Sequence, residues 1–202
     1  MTTSQTVRTH WVALRAMLLF TLVLGVAYTL AVTGIGQLLL PAQANGSIVR
    51  TADGDAVGSS LIGQSFTDAD GAPLPEWFQP RPSAAGDGYD GGASSGSNLG
   101  PEHPDLIAAV TERRAQVAEF EGVDEADVPA DAVTASASGL DPHISPAYAR
   151  LQVARVAAAR GLDEADVSRL VDSRIQPRDL GYLGEETVNV LELNLALAEM
   201  GD

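Results

Sequence analysis

From Ala16 to Gly36 the chain carries no charged side chain, and no other stretch restricts so strongly what it can become. About 21 helical residues at ~1.5 Å each reach roughly 30 Å, the depth of a bilayer's hydrocarbon core. In lipid every backbone N–H and C=O must be paired internally, so a lone span has to be a helix. Trp11 stands where an interfacial ring belongs. Arg15 lies close enough to the end of the span to reach the headgroups. The sequence therefore predicts a cytoplasmic tail over residues 1–11 and a transmembrane anchor helix over 12–40. Ala42-Gln43-Ala44 has the small-x-small form of a signal-peptide cleavage site, which is the alternative. The apolar core is, however, about twice the ~7–15 residues of a signal h-region. Arg8, His10 and Arg15 precede or open the span and all 27 acidic residues follow it. Positive-inside bias then holds the N-terminus in the cytoplasm and sends the chain after about Ala42 outside. The expected location is the plasma membrane.

Inside the span Thr21, Gly25, Thr29 and Thr33 recur every four residues and form a ridge of small, weakly polar side chains. Such a ridge lets a second helix approach closely. One span cannot form a transport pathway by itself, so any transport must be carried by other subunits.

The 160 or so residues beyond the anchor suffice for one domain with its own core. All 12 basic residues are Arg; two precede Ala42, leaving 10 against 27 acidic groups and a formal charge of −17. That surface repels nucleic acid and anionic headgroups and attracts cations, although a codon bias toward Arg, Ala and Asp gives the same composition. Lysine is absent, which excludes a P-loop, a protein-kinase site and Schiff-base chemistry. Cysteine is absent too, so there is no disulfide and no thiolate metal site.

The domain reads as α+β. Ile48-Val49-Arg50 and the run Ser60–Phe66 are expected as strands of a hairpin about the Asp53-Gly54 turn. Asp68-Ala69-Asp70-Gly71 begins like a calcium loop, but Gln79 stands where the twelfth-position Glu belongs, so a plain turn is expected. Residues 73–104 are rich in Gly, Pro and Ser, a long irregular segment in which Trp77, Phe78 and Tyr89 still have something to bury. A helix is expected from Asp105 to Phe120 on a stripe of Leu106, Ile107, Val110, Arg114, Val117 and Phe120, closed by Gly122. A short strand is expected at Val133–Ser136. Ser145 should cap a helix with Pro146 at its first position, running to Gly161 on Tyr148, Leu151, Val153, Ala154 and Val156. Asp163 should cap another, to about Ile175. The alternation in Val188–Leu195 suits a half-buried strand at least as well as a helix. Gly122–Val128 is nearly repeated as Gly161–Val167.

Ser136, Ser138, Asp141, His143 and Ser145 concentrate hydroxyl, carboxylate and imidazole in ten residues. Triads are rarely built from one short loop, and no Gly-x-Ser-x-Gly elbow is present. Turn and cap chemistry accounts for Asp141-Pro142 and Ser145-Pro146. His103 and His143 lack a third ligand for a metal. No catalytic, cofactor-binding or metal residue is assigned.

Several segments carry a resemblance. They are Asn45-Gly46-Ser47, Gly58–Gln64 with Phe66, Arg81-Pro82-Ser83-Ala84, Tyr89-Asp90, Ser97-Asn98-Leu99-Gly100-Pro101 and Thr134-Ala135-Ser136. Ser138-Gly139-Leu140-Asp141-Pro142-His143-Ile144-Ser145-Pro146 follows, then Arg155-Val156-Ala157, Leu183-Gly184-Glu185 and Val188–Asn194. In this order, over nearly the whole chain, they resemble the C subunit of the Kdp-type potassium-transporting ATPase. Ala137 stands where that family typically has Gly, and Glu186-Thr187 where it often has Pro-Arg. The resemblance implies a non-catalytic, membrane-anchored subunit of an ATP-driven potassium importer. Its partners would be a channel-like subunit and a P-type ATPase subunit, and the ATPase subunit would use the ATP. The family is described as a catalytic chaperone that raises the ATP affinity of the ATPase subunit. On this reading Arg81, Pro82, Ser83, Tyr89, Ser97–Gly100 and Ser138–His143 are partner-contact residues. The competing reading is a tethered extracytoplasmic hydrolase or solute-binding protein, which would need a convergent pocket.

Overall fold

The computed structural model describes residues 3–200, which divide into two compact units meeting between Ile48 and Val49. In the first, α1 (Thr3–Phe20), a π-helical segment (Thr21–Tyr28) and α2 (Thr29–Leu39) follow without a break. The apolar helix Ser4–Leu39 is long and apolar enough to cross a membrane, and no residue of its most apolar window is buried. At 1.5 Å per residue it would reach about 54 Å, so it outruns the hydrocarbon core. The helix thus takes in most of residues 1–11, and Leu40 is its cap. Arg15 lies over the Trp11 ring at 5.0 Å, a cation–π contact at the polar end of the span.

The π-helical turns fall on the ridge. Thr21 and Gly25 stand on one face, since a Cβ on Gly25 would meet Thr21 Cγ2 at 3.8 Å. Thr29 Oγ1 donates to Leu24 O five residues back, a bond the widened turn permits. After Leu40, α3 (Pro41–Ala44) turns back, and Asn45 and Gln37 exchange side-chain hydrogen bonds.

The second unit opens with a two-stranded sheet of β1 (Ile48–Arg50) and β2 (Ala56–Ser59). The turn at Gly54 is as expected, but the second strand lies earlier than the expected Ser60–Phe66. There the chain is irregular and leaves Leu61 and Ile62 in solvent, with no neighbouring strand to bury them. From Ser60 to His103 no helix or strand forms, apart from a single bridge between Thr67 and Pro73.

Helix α4 (Pro104–Glu121) begins at His103, whose Nδ1 accepts from Asp105 N, and ends at left-handed Gly122. Its stripe is only partly covered: Leu106, Val110, Arg114, Val117 and Phe120 are half-buried and Ile107 is exposed, while the buried Ala118 lies outside the stripe. A single 3-10 turn (Glu125–Asp127) and α5 (Ala130–Val133) follow. The expected strand at Val133–Ser136 is absent: Pro129 starts a helical turn and Thr134 Oγ1 closes it on Ala130 O. Then come β3 (His143–Ile144), α6 (Pro146–Leu151) and α7 (Val153–Arg160). The single helix expected from Ser145 to Gly161 is broken at Gln152, and Ala154 faces solvent. Ser145 does cap it, Oγ accepting from Tyr148 N. Asp163 caps α8 (Glu164–Ser173) through Ala165 N. The repeated Gly-x-Asp-Glu-Ala-Asp-Val thus opens a full helix once and, where Pro129 follows, a single turn once.

β4 (Ile175–Gln176) and β5 (Thr187–Asn189) complete a three-stranded antiparallel sheet ordered β3-β5-β4, with Val188 opposite Ile144 and Ile175. Over Val188–Leu195, where the pattern suits a strand at least as well as a helix, the strand stops at Asn189. Its side chain accepts from Glu192 N and starts α9 (Val190–Ala198), because a cap plus an acidic third position stabilises a helix start. α8 packs on α6, α7 and α9. Phe78, Ile144, Val156, Val167, Val171, Val188, Leu193 and Leu197 form the centre of the core. Phe78 comes from the irregular segment, which is therefore built into the core.

Candidate functional site

Two sets of hydrogen bonds hold the irregular segment. The first uses buried amides. Asn194 receives Phe78 N–H on its oxygen and donates to Phe78 C=O, both at 2.9 Å. Gln152 treats Gln79 in the same way, at 2.6 and 3.1 Å. Each amide imitates one rung of a sheet for a backbone that has no strand partner. Gln79 in turn donates to the carbonyls of Phe66 and Leu74. Arg155, over the Phe120 ring, bonds Gln152, Glu121 and the carbonyls of Pro75 and Trp77. The Arg155–Glu121 pair is buried, with side chains 8% and 1% exposed. Burial raises the Glu121 carboxyl, and the Arg155 hydrogen bond and charge offset this only in part.

The second set is centred on Arg81. Its guanidinium donates to Asp141 Oδ2 at 3.0 Å and to Thr134 O at 3.2 Å. Asp141 Oδ1 accepts from His143 N at 3.0 Å, with His143 Nδ1 at 3.3 Å. Burial alone would raise the Asp141 carboxyl, but His143 and Arg81 together hold it below the usual carboxylate range. Tyr89 O–H donates to Arg81 O at 2.7 Å. Burial, with the Asp141 charge beside it, pushes that phenol well up, so it stays a donor. Ser83 Oγ donates to Gly139 O and accepts from Ala85 N and Tyr89 N. Pro82 O accepts from Ser136 N, and Pro142 O from Val190 N. Gly139 sits at φ 69°, and a Cβ there would stand 2.6 Å from Ser95 O. Only glycine fits that crossing. Gly63 is as tight, between Tyr89 and Asp141.

Arg81, Pro82, Ser83, Tyr89, Gly139, Leu140, Asp141, Pro142 and His143 are thus brought together, Leu140 through its carbonyl to Gly63 N. Ser138 joins by accepting Ser95 N and Ser94 Oγ on its carbonyl. No side-chain bond among the described residues joins Ser97, Asn98, Leu99 or Gly100 to the cluster: Ser97, Asn98 and Gly100 are exposed, and Asn98 donates to its own turn at Gly96 O. Among the described residues no hydrogen bond links His143 to Ser136, Ser138 or Ser145. Ser145 instead binds Asp131, and Ser136 Oγ is buried without a partner. Beside this cluster a cavity of about 280 Å³ opens between α4 and the irregular segment, walled by Phe66, Tyr89, Phe120 and Tyr148 and edged by Arg113. The Arg81–Asp141 pair and the side-chain bonds to backbone carbonyls fix the shape of this arrangement. Gln152, Asn194 and Arg113 were not visible as site residues in the sequence. The one local sign is an amide amid apolar neighbours in Leu193-Asn194-Leu195.

The family model for the K+-transporting ATPase c chain matches residues 10–199. The chain is similar to proteins named potassium-transporting ATPase KdpC subunit in several bacteria. With that of Kineococcus radiotolerans it shares 60% identity over 181 residues, 90% of this chain and 88% of the relative. With that of Beijerinckia indica it shares 54% over 182 residues, 90% and 89% of the two chains. With that of Mycobacterium tuberculosis it shares 52% over 187 residues, 92% and 95%. The match runs through the apolar helix, the Arg81 cluster and α9 alike, and the chain therefore belongs to the family of K+-transporting ATPase c chains.

Proposed function

We propose that the chain is a non-catalytic, membrane-anchored subunit that assembles and couples the channel-like and ATPase subunits of an ATP-driven potassium importer. The observation that carries this reading is the Arg81 cluster. The family-motif side chains Arg81, Ser83, Tyr89 and Asp141 are engaged with one another and with backbone, which serves the presentation of a surface. The N-terminus lies in the cytoplasm and the second unit outside the membrane, as the charge asymmetry of Arg8 and Arg15 against 27 later acids favours. Cytoplasmic ATP does not reach a domain so placed. Assembly, with an acidic surface near the external potassium entrance, accounts for the subunit better than direct nucleotide binding. ATP is used by the ATPase subunit.

The anchor contributes through the face bearing Thr21 and Gly25, where a partner helix packs. The test is purification of the tagged chain in mild detergent after expression with the other subunits. Wild type and Val26→Leu should retain the channel-like and ATPase subunits. Gly25→Leu inserts normally but crowds the contact by ~1–3 kcal/mol, so its recovery of partners should fall severalfold. A wild-type chain that purifies alone would refute the reading. Equal recovery by both variants would leave the external domain as the sole attachment.

A further inference from the structure

Between β4 and β5 the chain makes an excursion over residues 177–186 that is ordered and yet apolar at its tip. Asp179 and Leu183 exchange both backbone hydrogen bonds at 2.9 Å, and Gly181 N and Tyr182 N close onto Arg178 O and Asp179 O. Outside this clamp Arg178 Nη2 meets Glu185 Oε2 at 2.7 Å. Inside it Leu180 is 81% exposed, Tyr182 70% and Leu183 48%. Leu180 also holds φ 53°, a left-handed backbone that leucine rarely adopts. Single exposed apolar residues are ordinary, whereas three on one hydrogen-bonded tip mark a contact surface. Tyrosine is among the residues enriched at interface centres.

We propose that this loop is a preformed docking finger, inserting Leu180, Tyr182 and Leu183 into an apolar cleft with a cationic rim on another subunit of the potassium ATPase. The proposal rests on the assembly reading above. Charge selects the occupant. Asp179, Glu185 and Glu186 against Arg178 leave −2 around the tip, which repels anionic headgroups. A second copy of the same acidic domain is repelled for the same reason. A cationic rim around an apolar cleft is the complement. Because the clamp already orders the loop, docking loses little conformational freedom.

The test uses the full tagged chain expressed with the other subunits. Leu180→Ser with Tyr182→Ser alters side chains that face solvent, so the chain purified alone should melt as wild type does. Its recovery of the other subunits should fall at least tenfold. Glu186→Arg should give a smaller loss that grows at low salt. Wild-type recovery by the double variant overturns the finger while leaving assembly intact; failure of the wild-type chain to retain partners overturns both. A Tyr182→Trp chain in vesicles of phosphatidylethanolamine and brominated phosphatidylglycerol should show no quenching beyond that of wild type. Added quenching would seat the loop in lipid and overturn the protein cleft.

Discussion

Asp141 sits beneath the Arg81 guanidinium and both the backbone N–H and the ring of His143, whereas Glu121 has Arg155 for its charge and little water. The two carboxylates are consequently displaced in opposite directions. Asp141, held low, binds fewer protons in the native than in the unfolded chain. Its contribution is in place above an unfolded value of about 3.9 and disappears as pH falls through the lower native one. Glu121, held high, does the reverse: its charge costs stability at neutral pH. That cost is relieved as pH falls from the raised native value toward about 4.3. The windows do not overlap, so wild-type stability should first rise and then fall on acidification. Chemical unfolding from about pH 6 to about pH 3 reads this directly. Glu121→Gln should remove the rise. Asp141→Asn should flatten the acid loss and cost ~1–3 kcal/mol at neutral pH. Variant curves that merely parallel wild type would mean that other groups govern the profile.

The helices whose starts and stops lie in adjacent residues were legible in the sequence. Pro104, Ser145-Pro146 and Asp163 open α4, α6 and α8, and Gly122 and Gly161 close α4 and α7, because caps act within one turn. The break at Gln152 has no signal in the neighbouring residues, and the Gln152 side chain is bonded to Gln79 in a distant segment. The end of β5 is no more legible: alternation in Val188–Leu195 signals burial on one side, while the deciding group is the Asn189 cap. The motif residues of the site could be named from sequence, but their joining through Arg81 and Gly139 depends on side chain-to-backbone bonds that have no period. The amide rungs make this dependence measurable. Asn194→Leu keeps the size and apolar character of the helix face and strips Phe78 N–H and C=O of partners. Two buried backbone groups left unpaired should cost at least ~2 kcal/mol, seen in denaturant unfolding. Early proteolysis should fall within residues 60–103 rather than within α9. Cleavage first in α9 would show that the helix, not the loop, needs the amide.

At the scale of the molecule, an apolar helix and an acidic domain divide the chemistry: one side of Ile48 is long and apolar enough to cross a membrane, and the other carries its own core. Added protease on intact spheroplasts should therefore digest residues after about Ala42 and spare the N-terminal tail, a result read with antibodies to each end. Protection of the domain would reverse the orientation. The rung between Phe78 and Asn194 also spans 116 residues, and this sets a clock on biogenesis. Phe78 can take its place only after the chain has been made nearly to its last helix. Contacts so distant in sequence are slow to close. Until that last helix is made, the segment around Phe78 lacks this latch, and it is there that the unfinished domain should be most open to proteolysis.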